Sequence, residues 1–166
     1  MIENVYLKKR KRRKMASNPE YRTFLIEEVP KRLTKLKEDT PAKFGIMTPQ
    51  HMVEHLILTA KICTKRYGTP SDPPSVGQQK FKRFIQEGAN FEHRPGKTSA
   101  DLPKLKYASL KEAIDSYPEG VGRFYNHFEA NKEFLCYNEI QGELNYEELE
   151  LLHYKHFAYH LDQFGI

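Results

Sequence analysis

The sequence has no tryptophan, only two cysteines, and no apolar run near the roughly 18 residues that cross a bilayer. Two cysteines cannot build a disulfide framework, and Cys63 and Cys136 lack the Cys-x-x-Cys spacing of a zinc ribbon. They read as two reduced thiols, with one disulfide formally open. No apolar signal-peptide core follows the basic N-terminus, so a cytoplasmic location is expected. A glycine-rich phosphate loop, a Gly-x-Ser-x-Gly elbow and an internal repeat are all absent. Nucleotide-loop and serine hydrolase chemistry are therefore poorly supported, and no repeat architecture is expected.

Charge of one sign is concentrated rather than spread. Residues 8–14 are seven consecutive Lys and Arg, and the whole chain has a net charge of +5. With Glu3, segment 1–14 carries +6, while the other 20 basic and 21 acidic residues net to −1. The basic pI therefore belongs to the tail, and a nucleic-acid reading of the folded part from charge fails. Residues 1–16 read as a basic, disordered tail, and 17–166 as one domain. The tail has three readings: a solvated extension lying upstream of a natural start at Met15, an electrostatic anchor for nucleic acid or anionic lipid, or a nuclear address.

What is present is helix punctuation. Asn18-Pro19 and Thr48-Pro49 each pair a capping residue with proline at the first helical position. Phe24, Leu25, Val29, Leu33 and Leu36 recur at helical spacing, with Pro30 expected to kink or split that helix. Met52, Val53, Leu56, Ile57, Ala60 and Ile62 give a broad apolar face to a helix running from Gln50 to about Tyr67. A short helix is predicted over 77–86. Residues 87–108 read as a long irregular loop, which in a compact domain is functional or mobile. Ser109 with Glu112 opens a helix that Pro118 and Gly120 interrupt, and Asn145 with Glu148 opens a last helix over 146–163, ended by Gly165. No segment alternates strictly, so few or no strands are expected. The fold class is all-α: a four-helix bundle with a short extra helix and a long loop.

The last helix carries the strongest chemical signal. Leu149, Leu152, His156, Tyr159/His160 and Gln163 are three or four apart and share one face. His156 and His160, one turn apart, can converge on one metal ion. A catalytic site needs a third protein ligand and an open position. His55 is the best candidate, because it lies within the apolar face of the second helix, where an unpartnered imidazole costs about 1–3 kcal/mol. Histidines hydrogen-bonded within the core are the alternative explanation. Gln163 and Tyr159 are candidates to hydrogen-bond a ligand or a bound water. His51 should be exposed, His153 turned toward the flank, His127 packed or at the surface, and His93 within reach of the site as part of the loop.

The segment from Leu151 to Gly165, with its His156-x-x-x-His160-Leu161-x-Gln163-Phe164-Gly165 pattern, resembles the C-terminal signature of DinB/YfiT-like proteins. It is most similar to a bacterial branch without an assigned reaction. Phe44 to Leu56 resembles the same branch's second-helix entry, in which the histidine before leucine is a metal ligand. The resemblance covers about residues 20 to 166. It implies an up-down-down-up four-helix bundle and carries His55, His156 and His160 over as ligands of a divalent metal, zinc first, with nickel or iron as alternatives. The basic tail and His51 depart from the family pattern.

For activity the resemblance implies a metal-dependent enzyme, either a thiol-dependent transferase or a hydrolase, with a small-molecule substrate and a low-molecular-weight thiol as second reactant. A non-catalytic, metal-stabilised interaction module is the alternative. A nucleic-acid or membrane role through the tail is the third, without a matching basic face in the core. Small helical bundles often pair through an exposed helix face, which leaves a homodimer open.

Overall fold

The computed structural model describes residues 17–88, 90–91 and 102–166; the basic run at 8–14 and His93 lie outside them. The described chain is mostly helical. Helices α1 (Pro19–Thr23) and α2 (Val29–Leu33) flank a π-helical turn, Phe24–Glu28, in one rod. Then come α3 (Pro49–Ile62), α4 (Val76–Gln86), α5 (Leu110–Ala130), strands β1 (Cys136–Asn138) and β2 (Gly142–Leu144), and α6 (Tyr146–Phe164). The starts follow the capping chemistry. Asn18, Thr48, Ser75, Ser109 and Asn145 each accept a backbone N–H with the side chain, and Gly165 at φ +68° closes α6.

One apolar cluster unites these elements. Leu25 and Val29, Met52 and Leu56, Phe124 and Phe128, and Leu149 and Phe157 meet in it, with Ile85 of α4 and Leu144 of β2 at the edge. α3 and α5 pack most extensively. Their approach depends on Gly120, where a Cβ would lie 2.8 Å from Ile57 Cγ2. Gly120 is therefore a packing residue within a continuous helix. Pro118 does not interrupt α5 either, contrary to the sequence expectation. α3 ends at Ile62 rather than near Tyr67, because the following residues turn to run beside β1: Tyr67 N–H donates to Tyr137 O at 2.8 Å.

The hairpin was not foreseen. Its strands are three residues each, paired antiparallel from Cys136↔Leu144 to Asn138↔Gly142, and too short to show alternation. Its turn is chemically specified, however. Asn138 Oδ1 accepts from Ile140 N–H at 3.0 Å and Gln141 N–H at 2.8 Å, and Gly142 takes φ +75°.

Pro30 acts upstream of itself. Val29 N–H donates to Phe24 O, five residues back, so the turn before the proline is widened. In that register the residue facing the Leu25 carbonyl is Pro30, which has no N–H to give. Tyr117 of α5 takes its place: its hydroxyl donates to Leu25 O at 2.9 Å, with the ring fully buried. Pro30 thus neither breaks the rod nor leaves a buried acceptor unpaired.

Tyr117→Phe keeps the ring and removes the only donor that the described residues offer this carbonyl. It is expected to lower the free energy of unfolding by about 1–3 kcal/mol, the cost of an orphaned buried acceptor, as read by urea denaturation with an unchanged m-value.

Candidate metal centre

α3 and α6 bring three imidazoles together. His55 Nε2 lies 3.1 Å from His156 Nε2, which lies 3.0 Å from His160 Nε2. The three ligand atoms are all within 4.8 Å of one another. His156 and His160 meet because they are one turn apart on α6, and His55 faces them from the apolar flank of α3 formed by Met52, Val53 and Leu56. These are the three histidines singled out in the sequence, His156 and His160 by helical spacing and His55 by its place on an apolar face.

The tautomer of His160 follows from its neighbours. Phe44 O can only accept, and Gln163 Nε2 donates to it at 2.8 Å. Gln163 Oε1 is thereby turned toward His160 Nδ1, 2.9 Å away, and must accept its proton. The Nε2 of His160 then carries a lone pair directed into the cluster. Gln163 is held from both sides, since its backbone O accepts Lys43 N–H at 2.7 Å. Gly45, at φ +77°, leaves room for the amide: a Cβ there would lie 2.6 Å from Gln163 Nε2.

A proton on His156 Nε2 can serve only one of its two nitrogen neighbours. A single cation between the three atoms serves all of them, and three imidazole nitrogens are a donor set suited to zinc, nickel or iron. Burial pushes the pKa of His156 well below the ordinary imidazole value, and the other histidines of the cluster add to the effect. Burial also lowers that of His160, against the opposing effect of the hydrogen bond that its Nδ1–H donates to Gln163 Oε1. Neutral imidazole, the ligating form, is therefore favoured.

Aromatic rings border the cluster. Phe91 lies 5.3 Å from the His156 ring and 5.9 Å from Tyr159, and Tyr159 lies 5.1 Å from His160 and 5.3 Å from Phe44. Tyr159 thus borders the cluster, while Gln163 touches His160 directly. The far end of the long loop is fixed to α3 beside His55. The Glu54 carboxylate accepts Lys106 N–H at 2.7 Å and Tyr107 N–H at 3.1 Å, and Gln50 Nε2 donates to Tyr107 O at 2.8 Å. The sequence reading missed this clamp, although Gln50 and Glu54 at i, i+4 beside a candidate ligand were visible.

The other described histidines are elsewhere. His51 Nδ1 sits 2.6 Å from the Thr48 hydroxyl, at the helix cap. His127 packs edge-on against Phe134 and Phe128. His153 turns off the pair's face as expected, but into the core rather than onto a flank. It is 2% exposed, lies against Phe124 and Phe157, and neither of its ring nitrogens has a hydrogen-bond partner among the described residues. The reason is that α6 is buried on two sides, so the flank of the His156–His160 stripe is itself interior. A cleft of about 510 Å³ between α4, the hairpin and the start of α6, bordered by Gln78, Lys82, Phe134 and Tyr137, does not include the histidine cluster.

No protein-family model, no curated protein and no solved structure matches the chain.

Burial lowers the His153 pKa from 6.5 to about 3. The unfolded chain takes up a proton below pH 6.5 that the folded core refuses, so stability falls as pH drops from 6.5 toward 3. His153→Leu removes this titration. Its stability relative to the parent should increase steadily from pH 7 to pH 4, as measured by urea denaturation across that range. A constant difference between the two proteins would contradict it.

Proposed function

We propose that the chain is a metal-dependent enzyme of DinB/YfiT-like four-helix bundle type, with His55, His156 and His160 holding one divalent ion, zinc first. The observation that carries this is the convergence of three Nε2 atoms at 3.0 and 3.1 Å, with the far nitrogen of His160 already committed to Gln163. A divalent ion on three neutral imidazoles keeps a coordination position for water or a thiol and lowers the pKa of whatever occupies it. Gln163 fixes the plane and tautomer of His160, and the Gln50–Glu54 clamp fixes the chain beside His55. Phe44, Phe91 and Tyr159 supply an apolar border that favours a small organic substrate. A low-molecular-weight thiol as second reactant, in a transferase or hydrolase reaction, is the activity to screen first.

Metal analysis of untagged protein, purified without chelator, tests the site. About one zinc, nickel or iron per chain is expected, absent from a His156→Ala variant that keeps its helical circular dichroism. Equal metal in both proteins, or none in either after reconstitution, removes the proposal.

Gln163→Leu should retain the three ligands but weaken metal affinity about 10- to 100-fold, read by competition against a chromophoric chelator. Unchanged affinity would mean that the hydrogen bond to His160 does not tune the ligand.

A further inference from the structure

The N-terminal rod and α6 run side by side in the same direction. The Ser17 hydroxyl donates to Glu150 Oε1 at 2.8 Å, and Asn18 N–H donates to Glu150 Oε2 at 2.9 Å. One turn further along both elements the Tyr21 ring stacks on Tyr154 at 4.4 Å, and at the far end the Arg32 guanidinium donates to the Ile166 carbonyl. The course of the chain into Ser17 is therefore directed from the start of α6. The cleft of about 510 Å³ between α4, the hairpin and α6 opens there, with Asn145, Tyr146 and Glu147 on its border. Glu147 is one turn before Glu150, about 4.5 Å along the helix axis.

We propose that this cleft is the docking site of the chain's own basic run, residues 8–14, bound within the same molecule. Position and charge both favour it. Glu133, Glu143, Glu147 and Glu148 border the cleft against Lys82 and Lys132, a net of −2. Everything after residue 14 nets to −1, so the remainder of that part nets to +1 and the negative excess is at the cleft. Glu148 pairs with Lys82 at 3.2 Å and Glu143 with Arg66 at 2.8 Å. Glu147 lies on the path from Ser17 and Glu133 at the exposed rim, and these two receive the run. Phe134, half-buried on the same border, offers a ring face to an arginine.

The reach is sufficient. Lys14 is three residues before Ser17 and Lys8 is nine. An extended chain carries them up to about 10 and 30 Å from Ser17. Single ion pairs at an exposed rim are weak. The short connection offsets this, because it holds the run near the cleft at an effective concentration on the order of millimolar. Added salt screens the exposed pairs and shifts the balance toward release.

The test is zero-length cross-linking of the full chain at low salt with a carbodiimide, which joins a lysine amine to a carboxylate with loss of one water. The monomer is then isolated and its peptides are mapped. Amide links from Lys8, Lys9, Lys11 or Lys14 to Glu133 and Glu147 are expected. Links from the same lysines to Glu28 and Asp115, exposed carboxylates outside the cleft, are not. Limited trypsin digestion supplies a second readout. At low salt the double variant Glu133→Gln, Glu147→Gln, with unchanged helical circular dichroism, should be cut within 8–14 about 5-fold faster than the parent. In about 0.5 M NaCl the two proteins should be cut equally. Links only between two chains, links spread evenly over Glu28 and Asp115, no link from the run, or equal cutting at low salt would each overturn the proposal.

Discussion

The Phe44 carbonyl can only accept a hydrogen bond, and the polarity of the histidine cluster follows from that. It takes the amide nitrogen of Gln163, which commits the amide oxygen to His160 Nδ1 and leaves the His160 Nε2 lone pair pointing at His156. The link from a loop carbonyl to a ring nitrogen runs through one glutamine, and it fits only because Gly45 presents no side chain there. A buried polar chain of this kind is worth more than its members taken singly, since breaking it anywhere leaves two groups unsatisfied.

α6 carries polar groups inward along its whole length, and they are satisfied unequally. Near its start the Glu150 carboxylate, 1% exposed, accepts from the Ser17 hydroxyl at 2.8 Å, Asn18 N–H at 2.9 Å and the Tyr146 hydroxyl at 2.8 Å. It thereby fixes the point where the chain enters α1. Near its end His160 and Gln163 satisfy each other. Between them His153 has no hydrogen-bond partner among the described residues and is held neutral by burial. The helix thus joins a structural anchor to a chemical cluster through an apolar stretch that contains one uncompensated imidazole.

Much of the helical layout was legible because its signals are local. A side-chain cap, a proline at the first position and a glycine at the C-terminus act within one turn, so Asn18, Thr48, Ser109, Asn145 and Gly165 mark real ends. The histidine pair was legible for the same reason, being one turn apart. His55 came from its place on an apolar face, which is a weaker signal. What was not legible depends on distant partners. Pro118 reads as a break until α5 is seen to run through it. His153 reads as a flank residue until α6 is seen to be covered on two sides. The pairing of Tyr67 with Tyr137 depends on strands of three residues, which leave almost no mark on composition or periodicity.

The widened turn at Phe24–Glu28 ties two distant positions to one another. Pro30 withholds a donor from the Leu25 carbonyl, and Tyr117 supplies one from another helix. A lineage that lost the proline would regain the ordinary helical donor, and the phenol hydroxyl would then have nothing to satisfy. A lineage that lost the phenol first would carry a buried, unpaired oxygen until the proline also changed. Positions 30 and 117 therefore constrain each other's history, and the order in which they can be exchanged is not symmetric.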